Sequence, residues 1–363
     1  MRFAFVLTNL AGGGAEKAVL KIARILRGRG HDATLLVLED CRRHAVPEDL
    51  PVQVLNPGSF SKGFLGRRLM AWRLARRVAE MAREKPFDLI VSTLPLADEI
   101  CHLARLPRHW CRIANTLSAE VERLAAGNRQ KAGRRAERYR RLYGRHGLVA
   151  VSAGVAEDLR SGLGLQDTPI VTIPNPFDLA AIWAAAAADC PGRPQQPYVI
   201  HVGRFAGQKR HDLLLDAWSR LDVPHRLVLL ADPDPRLEAM IRERGLEQRV
   251  TVAGFQTNPY PWIAGAELLV LCSDHEGLPN VLLEALACGT PAVSTDCPSG
   301  PREILAAFPD CLVPCGDAAA LAAAIAKALV EPPDTARADL TPYGPDVIGA
   351  AWEKLAARAG AKR

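Results

Sequence analysis

Residues 268–305 have the sequence LLVLCSDHEGLPNVLLEALACGTPAVSTDCPSGPREIL. Residues 268–272 are a short apolar run between polar residues, and such a run predicts a buried strand. Residues 281–288 predict a short helix that Gly289 ends. Residues 291–294 (PAVS) predict the next strand. Residues 2–38 likewise predict a strand, a helix and a strand, an order that indicates a parallel α/β sheet.

Two glutamates, Glu276 and Glu284, lie in the turn and helix between these strands. Apolar residues surround Glu284 along the helix, so we expect a buried helix in which this carboxylate needs a partner. A carboxylate in the first turn of the helix can hold ligand hydroxyls. The free N–H groups at the helix start favour a phosphate. A sugar and a phosphate are therefore the expected ligands.

The segment HEGLPNVLLEALACGTPAVSTD resembles the signature of the retaining family-four glycosyltransferases with the GT-B fold. The spacing of the glutamates, the turn, the apolar helix and the Gly-Thr-Pro that follows all agree with it. The resemblance implies that Glu276 and the backbone after it bind the donor sugar, and that Glu284 binds the ribose of the nucleotide. A surface Glu276 and a salt-bridged Glu284 are the structural alternative. The implied backbone positions are Gly277, Leu278, Pro279 and Asn280.

A second predicted strand, in residues 196–204 (QPYVIHVGR), ends in Arg204 and is followed by FAGQKR, which contains Lys209. These two cations flank a turn at the carboxyl end of a strand, the ligand-binding edge of such sheets. They resemble the Arg-x4-Lys pair that neutralises the donor diphosphate in the family, and with Glu276 they are the expected catalytic residues. A surface ion pair is the alternative. Phe255 follows a strand that, by the resemblance, runs beside the nucleobase.

Residues 11–16 (AGGGAE) form a glycine-rich turn between a first predicted strand, residues 2–9, and a helix. The pattern Gly12-x-Gly14 lacks the third glycine of a dinucleotide-binding loop, so a nicotinamide cofactor is not indicated. The resemblance places this loop across the cleft from the donor phosphates, where Gly13 and Gly14 permit close backbone approach. A plain tight turn is the alternative.

The net charge of +6 is unevenly distributed along the 363 residues. Residues 1–176 contain 29 Lys and Arg against 17 Asp and Glu, whereas residues 177–363 contain 17 against 23. A strongly basic half suits an anionic partner such as a phospholipid surface, a lipid diphosphate or an anionic glycan. No apolar run approaches the ~20 residues that span a bilayer, so we expect any membrane contact to be peripheral.

Residues 61–85 predict a helix in which core and surface residues separate by helical spacing. A tryptophan shares the surface face with arginines, which is typical of a membrane interface. A solvated arginine face is the alternative. The expected core residues are Met70, Leu74, Val78 and Met81, and the expected membrane or acceptor face contains Leu65, Arg68, Trp72, Arg76 and Arg83.

No metal site is expected. Asp232-Pro233-Asp234 resembles an Asp-x-Asp metal motif, but Arg204, Lys209 and the helix start already supply positive charge at the donor site. Nine cysteines are scattered without zinc-site spacing and indicate a reducing compartment. Many family members have a histidine after the strand that corresponds to residues 111–115; residues 115–118 are Asn-Thr-Leu-Ser here, so no catalytic histidine is predicted.

Two prolines in Pro174-Asn175-Pro176 predict a domain boundary, since neither regular element continues through them. The resemblance implies two Rossmann-like α/β domains that face each other across a cleft, with a C-terminal helix that crosses back to the first domain. Residues 1–175 and the helix 343–360 are the predicted acceptor-binding domain. Residues 176–342 are the predicted domain for the nucleotide-sugar donor.

The predicted function is that of a retaining, metal-independent glycosyltransferase without a cofactor. It moves a sugar from a nucleotide diphosphate sugar, with a UDP-sugar favoured, to a hydroxyl of a lipid-linked glycan or lipopolysaccharide. The expected partners are donor, acceptor and an anionic membrane surface, without nucleic acid, in the cytoplasm or on the inner face of the cytoplasmic membrane. A sugar-nucleotide epimerase or hydrolase on the same fold is one alternative; a non-catalytic membrane-surface or nucleic-acid binder is another.

Overall fold

The structure is a computed structural model that describes residues 1–11, 13–41 and 49–361. The chain divides into two compact units: Met1–Pro176 together with Pro342–Arg363, and Phe177–Thr341. The first division therefore follows the Pro174-Asn175-Pro176 segment directly. Because the chain returns to the first unit after Thr341, the second unit is an insertion within the first.

The first unit contains a seven-stranded parallel sheet with strand order β3-β2-β1-β4-β5-β6-β7. The strands are β1 Arg2–Leu7, β2 Asp32–Val37, β3 Val52–Val54, β4 Leu89–Thr93, β5 His109–Ile113, β6 Gly147–Ala150 and β7 Ile170–Thr172. The helices are α1 Gly14–Gly28, α2 Phe64–Ala82, α3 Pro95–Leu103, α4 Leu117–Gly127, α5 Arg129–Tyr143 and α6 Ala153–Glu157.

The second unit contains a six-stranded parallel sheet with strand order β10-β9-β8-β11-β12-β13. The strands are β8 Tyr198–Val202, β9 Arg226–Leu230, β10 Val250–Val252, β11 Leu268–Leu271, β12 Ala292–Thr295 and β13 Leu312–Val313. The helices are α7 Leu179–Ala186, α8 His211–Trp218, α9 Pro235–Glu243, α10 Tyr260–Ala264, α11 Asn280–Ala287, α12 Pro301–Ile304 and α13 Ala318–Val330; α14, Pro345–Ala361, belongs to the first unit.

Helices cover both faces of the first sheet, which explains why its central strands are continuous apolar runs. α1 and α14 pack on one face, where the Trp352 and Phe5 rings meet edge to face at 5.8 Å between centroids. Arg29 at the end of α1 binds both carboxylate oxygens of Glu353, at 2.8 and 3.0 Å. The C-terminal helix thus completes the core of the first unit.

The other face of this sheet packs against α2 and α3. Met70, Leu74 and Val78 of α2 are buried there, as the helical spacing predicts, whereas Met81 is half-buried. Within the described ranges, no helix combines the length and the hydrophobicity that crossing a bilayer requires.

The two sheets have the same topology. In each, the first strand in sequence lies inside the sheet, the next two strands are added on one side of it, and the later strands on the other side. The order reverses between β1 and β4 in the first sheet, and between β8 and β11 in the second. Ligands of open α/β sheets bind outside the carboxyl ends of the strands at such a reversal point. In the second unit, the chain that leaves β8 and β11 carries Arg204, Lys209 and Glu276.

Candidate active site

The two turns at the reversal point of the second sheet are hydrogen-bonded to each other. One turn follows β8 at Gly203, and the other follows β11 at Cys272. The backbone N–H of Asp274 donates to the carbonyl of Gln208 at 2.9 Å, and the Gln208 amide donates back to the carbonyl of His275. The loop after β8 and the loop before α11 therefore form one local structure.

Lys209 and Glu276 meet at this place. Lys209 Nζ lies 2.6 Å from Glu276 Oε1, and the Ser273 hydroxyl donates to the same oxygen at 2.6 Å. The Lys209 side chain is 21% exposed and the Glu276 side chain 11%, so the pair is shielded more than a surface ion pair. The Thr295 hydroxyl donates to the carbonyl of Ser273 at 2.7 Å and fixes the turn from β12.

Arg204 is exposed, and it has no hydrogen-bond or ion-pair partner in the part of the chain that the structure describes. It therefore differs from Lys209, whose partner is 67 residues away in sequence. Arg204 and Lys209 both lie on the short segment that follows β8. Arg204 keeps its five donors for solvent or a ligand.

Arg210 is a residue of this turn that the sequence patterns did not single out. Its backbone has φ +48°, in the left-handed region, which costs about 1–2 kcal/mol for a residue with a Cβ. Its guanidinium binds Asp212 at 2.9 Å and Asp274 at 2.8 Å, and these hydrogen bonds raise its pKa. The buried Cys272 thiol donates to the carbonyl of Lys209 at 3.2 Å. Only Asp212 lies near Arg210 in sequence, so spacing gives no signal for Asp274.

The Gly-Leu-Pro turn before α11 is buried, and Gly300 is the residue that lets it pack. Gly300 has φ +97°, and a Cβ there would lie 2.3 Å from Pro279 Cδ and 3.2 Å from the carbonyl oxygen of Gly277. The chain after β12 therefore supports residues 277–279 by direct backbone contact. The backbone N–H of Glu276 also donates to the carbonyl of Pro298 at 3.2 Å.

The helix α11 is buried as predicted, because Val281, Leu282, Leu283, Ala285, Leu286 and Ala287 are all buried. Glu284 itself is half-buried, less than its apolar neighbours along the helix led us to expect. Burial raises the pKa of Tyr260 of α10, and the Glu284 carboxylate raises it further. Asn280 is the first residue of α11, and Gly289, with φ +77°, follows its end.

Phe255 follows β10 and is 61% exposed. Asp234 is the N-cap of α9: it accepts from the backbone N–H of Arg236 at 2.9 Å and pairs with the guanidinium of that residue. This arrangement lowers the pKa of Asp234 to about 2. In the described ranges, no three His, Cys, Asp or Glu side chains are grouped so that they could bind a metal ion.

In the first unit, Gly13 is the N-cap of α1 and Gly14 its first residue. A Cβ at Gly13 would lie 2.5 Å from Glu16 Oε2, so the Glu16 carboxylate folds back over the start of α1. Gly12 lies outside the described residues. The lack of a side chain at Gly13 thus permits the close approach of the Glu16 carboxylate.

The outer face of α2 is apolar and basic. The Arg68 guanidinium lies over the Phe64 ring at 4.6 Å, and that of Arg76 lies over the Trp72 ring at 5.7 Å. Arg83 is the C-cap of the helix and is exposed. Phe64 is 70%, Leu65 78%, Leu69 51% and Trp72 57% exposed. We call Phe64, Leu65, Arg68, Leu69, Trp72 and Arg76 the α2 outer face.

Two family models match the chain and together cover most of it. The model "Glycosyltransferase Family 4" matches residues 12–181, and "Glycosyl transferases group 1" matches residues 196–331. A Campylobacter jejuni enzyme, N-acetylgalactosamine-N,N'-diacetylbacillosaminyl-diphospho-undecaprenol 4-alpha-N-acetylgalactosaminyltransferase, is 28% identical over 82% of this chain and 81% of its own length. The lipopolysaccharide 1,6-galactosyltransferase of Salmonella typhimurium is 34% identical over 43% of this chain and 45% of its own.

Among solved structures, Anabaena HepE in complex with UDP-glucose has a TM-score of 0.67 at 20% identity, over 99% of this chain and 98% of that one. The two wound α/β units define the GT-B class of fold. The chain belongs to the family-four glycosyltransferases, and it is an enzyme of that kind. The predictions of family, fold class and enzyme are confirmed, and the non-catalytic alternative is set aside.

Proposed function

We propose that the chain transfers a sugar, with retention, from a UDP-sugar to a hydroxyl of a lipid-linked glycan or lipopolysaccharide acceptor. The observation that carries this proposal is the Lys209–Glu276 pair at the reversal point of the second sheet, with Arg204 beside it. The names of the relatives support the acceptor class, since one acts on an undecaprenol-linked glycan and another on lipopolysaccharide. The UDP-glucose complex of HepE supports the donor class.

The cations suit a leaving diphosphate. As the bond between the anomeric carbon and the phosphate oxygen breaks, its electron pair and the negative charge go to the phosphate. Fixed cations at that position stabilise the transition state more than the ground state. Lys209 is held by Glu276 at 2.6 Å and so needs little reorganisation, whereas the exposed Arg204 can adjust to the ligand.

The configuration at the anomeric carbon is retained if the acceptor hydroxyl attacks that carbon from the same face that the leaving group departs from. Its oxygen forms the new bond to the anomeric carbon, and its proton goes to the released phosphate oxygen. The protein then has to bind and orient both substrates. Glu276 and the backbone of residues 277–280 are proposed to hold the donor sugar, and Glu284 the ribose. Lys209 and Arg204 supply positive charge, so we propose that no metal ion is needed.

The test of this donor site is thermal unfolding with UDP, GDP, ADP and their sugars, with and without EDTA. A nucleotide at about 100 times its dissociation constant stabilises the fold by ~2.7 kcal/mol. We expect a shift with UDP and UDP-sugars that EDTA does not change and that Glu284→Ala removes. Glu243→Ala, at an exposed site on α9, is the control and should keep the shift. Stabilisation by none of these nucleotides would contradict the proposed donor site.

The acceptor side is proposed to lie at an anionic membrane surface that contacts the α2 outer face. Its four large apolar side chains are more than half exposed, and its two arginines lie over their aromatic rings. Apolar groups of this kind enter the interface of a bilayer, while arginines attract anionic lipid. Of these two arginines, Arg76 pairs with Glu80 at 2.9 Å, whereas the carboxylate of Glu99 pairs with Arg67 on the same helix.

We expect the protein to float with vesicles that contain phosphatidylglycerol, and less so at high salt because screening weakens the arginine contribution. Leu65→Ser/Trp72→Ser should lower the bound fraction at least about tenfold, since it removes two large apolar groups from the interface. Val330→Ser is a matched control: Val330 is 80% exposed, like Leu65, but lies in the second unit. Equal binding of the double variant and the control would contradict this surface.

A further inference from the structure

Ser273 follows β11 and is tied to the neighbouring strand β12. Leu271, the last residue of β11, pairs in register with Ser294 of β12, so Thr295 lies beside the end of β11. The Thr295 hydroxyl donates to the carbonyl of Ser273 at 2.7 Å, and both residues are fully buried. The backbone of Ser273 is therefore held by the sheet.

The Ser273 hydroxyl and the Lys209 ammonium donate to the same atom, Oε1 of Glu276, each at 2.6 Å. The two donors differ in mobility. Lys209 reaches the carboxylate through a flexible aliphatic stem, and its side chain is 21% exposed. A single side-chain torsion places the Ser273 oxygen on a buried backbone, so fixing it costs little conformational entropy. Ser273 is thus the more rigid of these two supports of Glu276.

The proposed reaction makes different demands on the two donors. As negative charge grows on the leaving phosphate, its attraction for the Lys209 ammonium increases, because the energy of two opposite charges follows Coulomb's law. The Ser273 hydroxyl is neutral, and its hydrogen bond to the carboxylate is charge-assisted and short, at 2.6 Å. It can therefore keep Glu276 oriented while the ammonium stabilises the phosphate.

We infer that Ser273 is a positioning residue, which orients the Glu276 carboxylate for the donor sugar independently of Lys209. This inference rests on the proposed role of Glu276 in holding that sugar. A bound sugar gains more from a carboxylate that is already oriented, since fixing a glutamate side chain on binding costs conformational entropy. The contribution of the sugar to donor affinity therefore depends on the Ser273 hydroxyl, whereas the contribution of the nucleotide does not.

The test measures the affinities for UDP, UDP-glucose and UDP-galactose by calorimetry, and expresses each sugar nucleotide as a ratio to UDP. Ser273→Ala should weaken the binding of the preferred sugar nucleotide roughly tenfold, the factor that corresponds to one hydrogen bond of typical net strength. It should leave UDP binding nearly unchanged. A purely structural role of Ser273 would weaken both ligands by the same factor and leave the ratio unchanged.

Ser294→Ala is the matched control for this substitution. Ser294 is also fully buried, and its hydroxyl donates to the backbone carbonyl of Thr295 at 2.8 Å instead of to Glu276. The control thus removes a buried serine hydrogen bond from the strand next to β11. It should leave the ratio of the two affinities unchanged.

A double-mutant cycle shows whether Ser273 acts through Glu276. In the Glu276→Ala background, Ser273→Ala should have no further effect on the ratio. An equal effect of Ser273→Ala in both backgrounds, or no effect in the wild-type background, overturns the positioning role, while the sugar-holding role stands if Glu276→Ala alone changes the ratio. If Glu276→Ala alone keeps the ratio, the sugar-holding role is itself overturned, and this inference with it.

Discussion

Replacing Lys209 with alanine is expected to lower kcat/KM for the sugar donor by about 10²–10³-fold, the usual effect of removing one preorganised charge partner of a transition state. The variant loses the ammonium proposed to face the leaving phosphate. It also leaves the Glu276 carboxylate, 11% exposed, with Ser273 but without its cation. Steady-state kinetics with the donor found in the nucleotide panel, together with thermal unfolding, measures both effects.

Lys327→Ala is a suitable control for this variant. Lys327 also forms an ion pair in the second unit, with Asp310 at 2.8 Å, but its side chain is 58% exposed. Removing an exposed pair of this kind should change stability by no more than about 1 kcal/mol and leave kcat/KM unchanged. A Lys209→Ala enzyme as active as Lys327→Ala would remove Lys209 from the proposed mechanism.

Replacing Gly300 with alanine is expected to cost about 3 kcal/mol of the free energy of unfolding, from backbone strain and overpacking together. The backbone has φ +97°, where an L side chain is strained, and the new Cβ would lie 2.3 Å from the Pro279 ring. Relief of that clash must displace the turn that follows Glu276. Chemical denaturation should therefore show a lower free energy of unfolding, and the affinity for UDP should also fall.

Gly289→Ala separates the two causes. Gly289 also has a positive φ, +77°, but no atom lies within 4 Å of the position that its Cβ would take. This variant should show only the backbone cost of about 1–2 kcal/mol and should bind UDP normally. Equal losses of stability in the two variants would mean that the contact with Pro279 contributes nothing.

Much of the fold follows from sequence because its strands are buried on both faces. Such strands are uninterrupted apolar runs, and the helix between β11 and β12 was predicted within one residue. The edge strands β3 and β13, with three and two residues, were not predicted. Two or three residues show no period by themselves, and these two strands are defined by their pairing with β2 and β12.

The candidate site was predictable in part. Lys209 and Glu276 each follow a buried strand, and carboxyl ends of parallel strands share one edge of a sheet. The ion pair between Lys209 and Glu276 joins residues that are far apart in sequence. The same is true of the contact of Gly300 with Pro279 and of the ion pair between Arg210 and Asp274. The partial exposure of Glu284 was missed because apolar neighbours along a helix do not show how closely other elements pack against it.

The insertion of the second unit has a consequence for synthesis of the protein on the ribosome. The chain emerges from its N-terminus, so all of Phe177–Thr341 is made before α14. Until then, the sheet face that contains Phe5 lacks Trp352, its partner in the finished core. The second unit is continuous and can fold as soon as it has emerged, whereas the first must wait with apolar surface uncovered. The first unit is thus the first to be synthesised and the last to be completed.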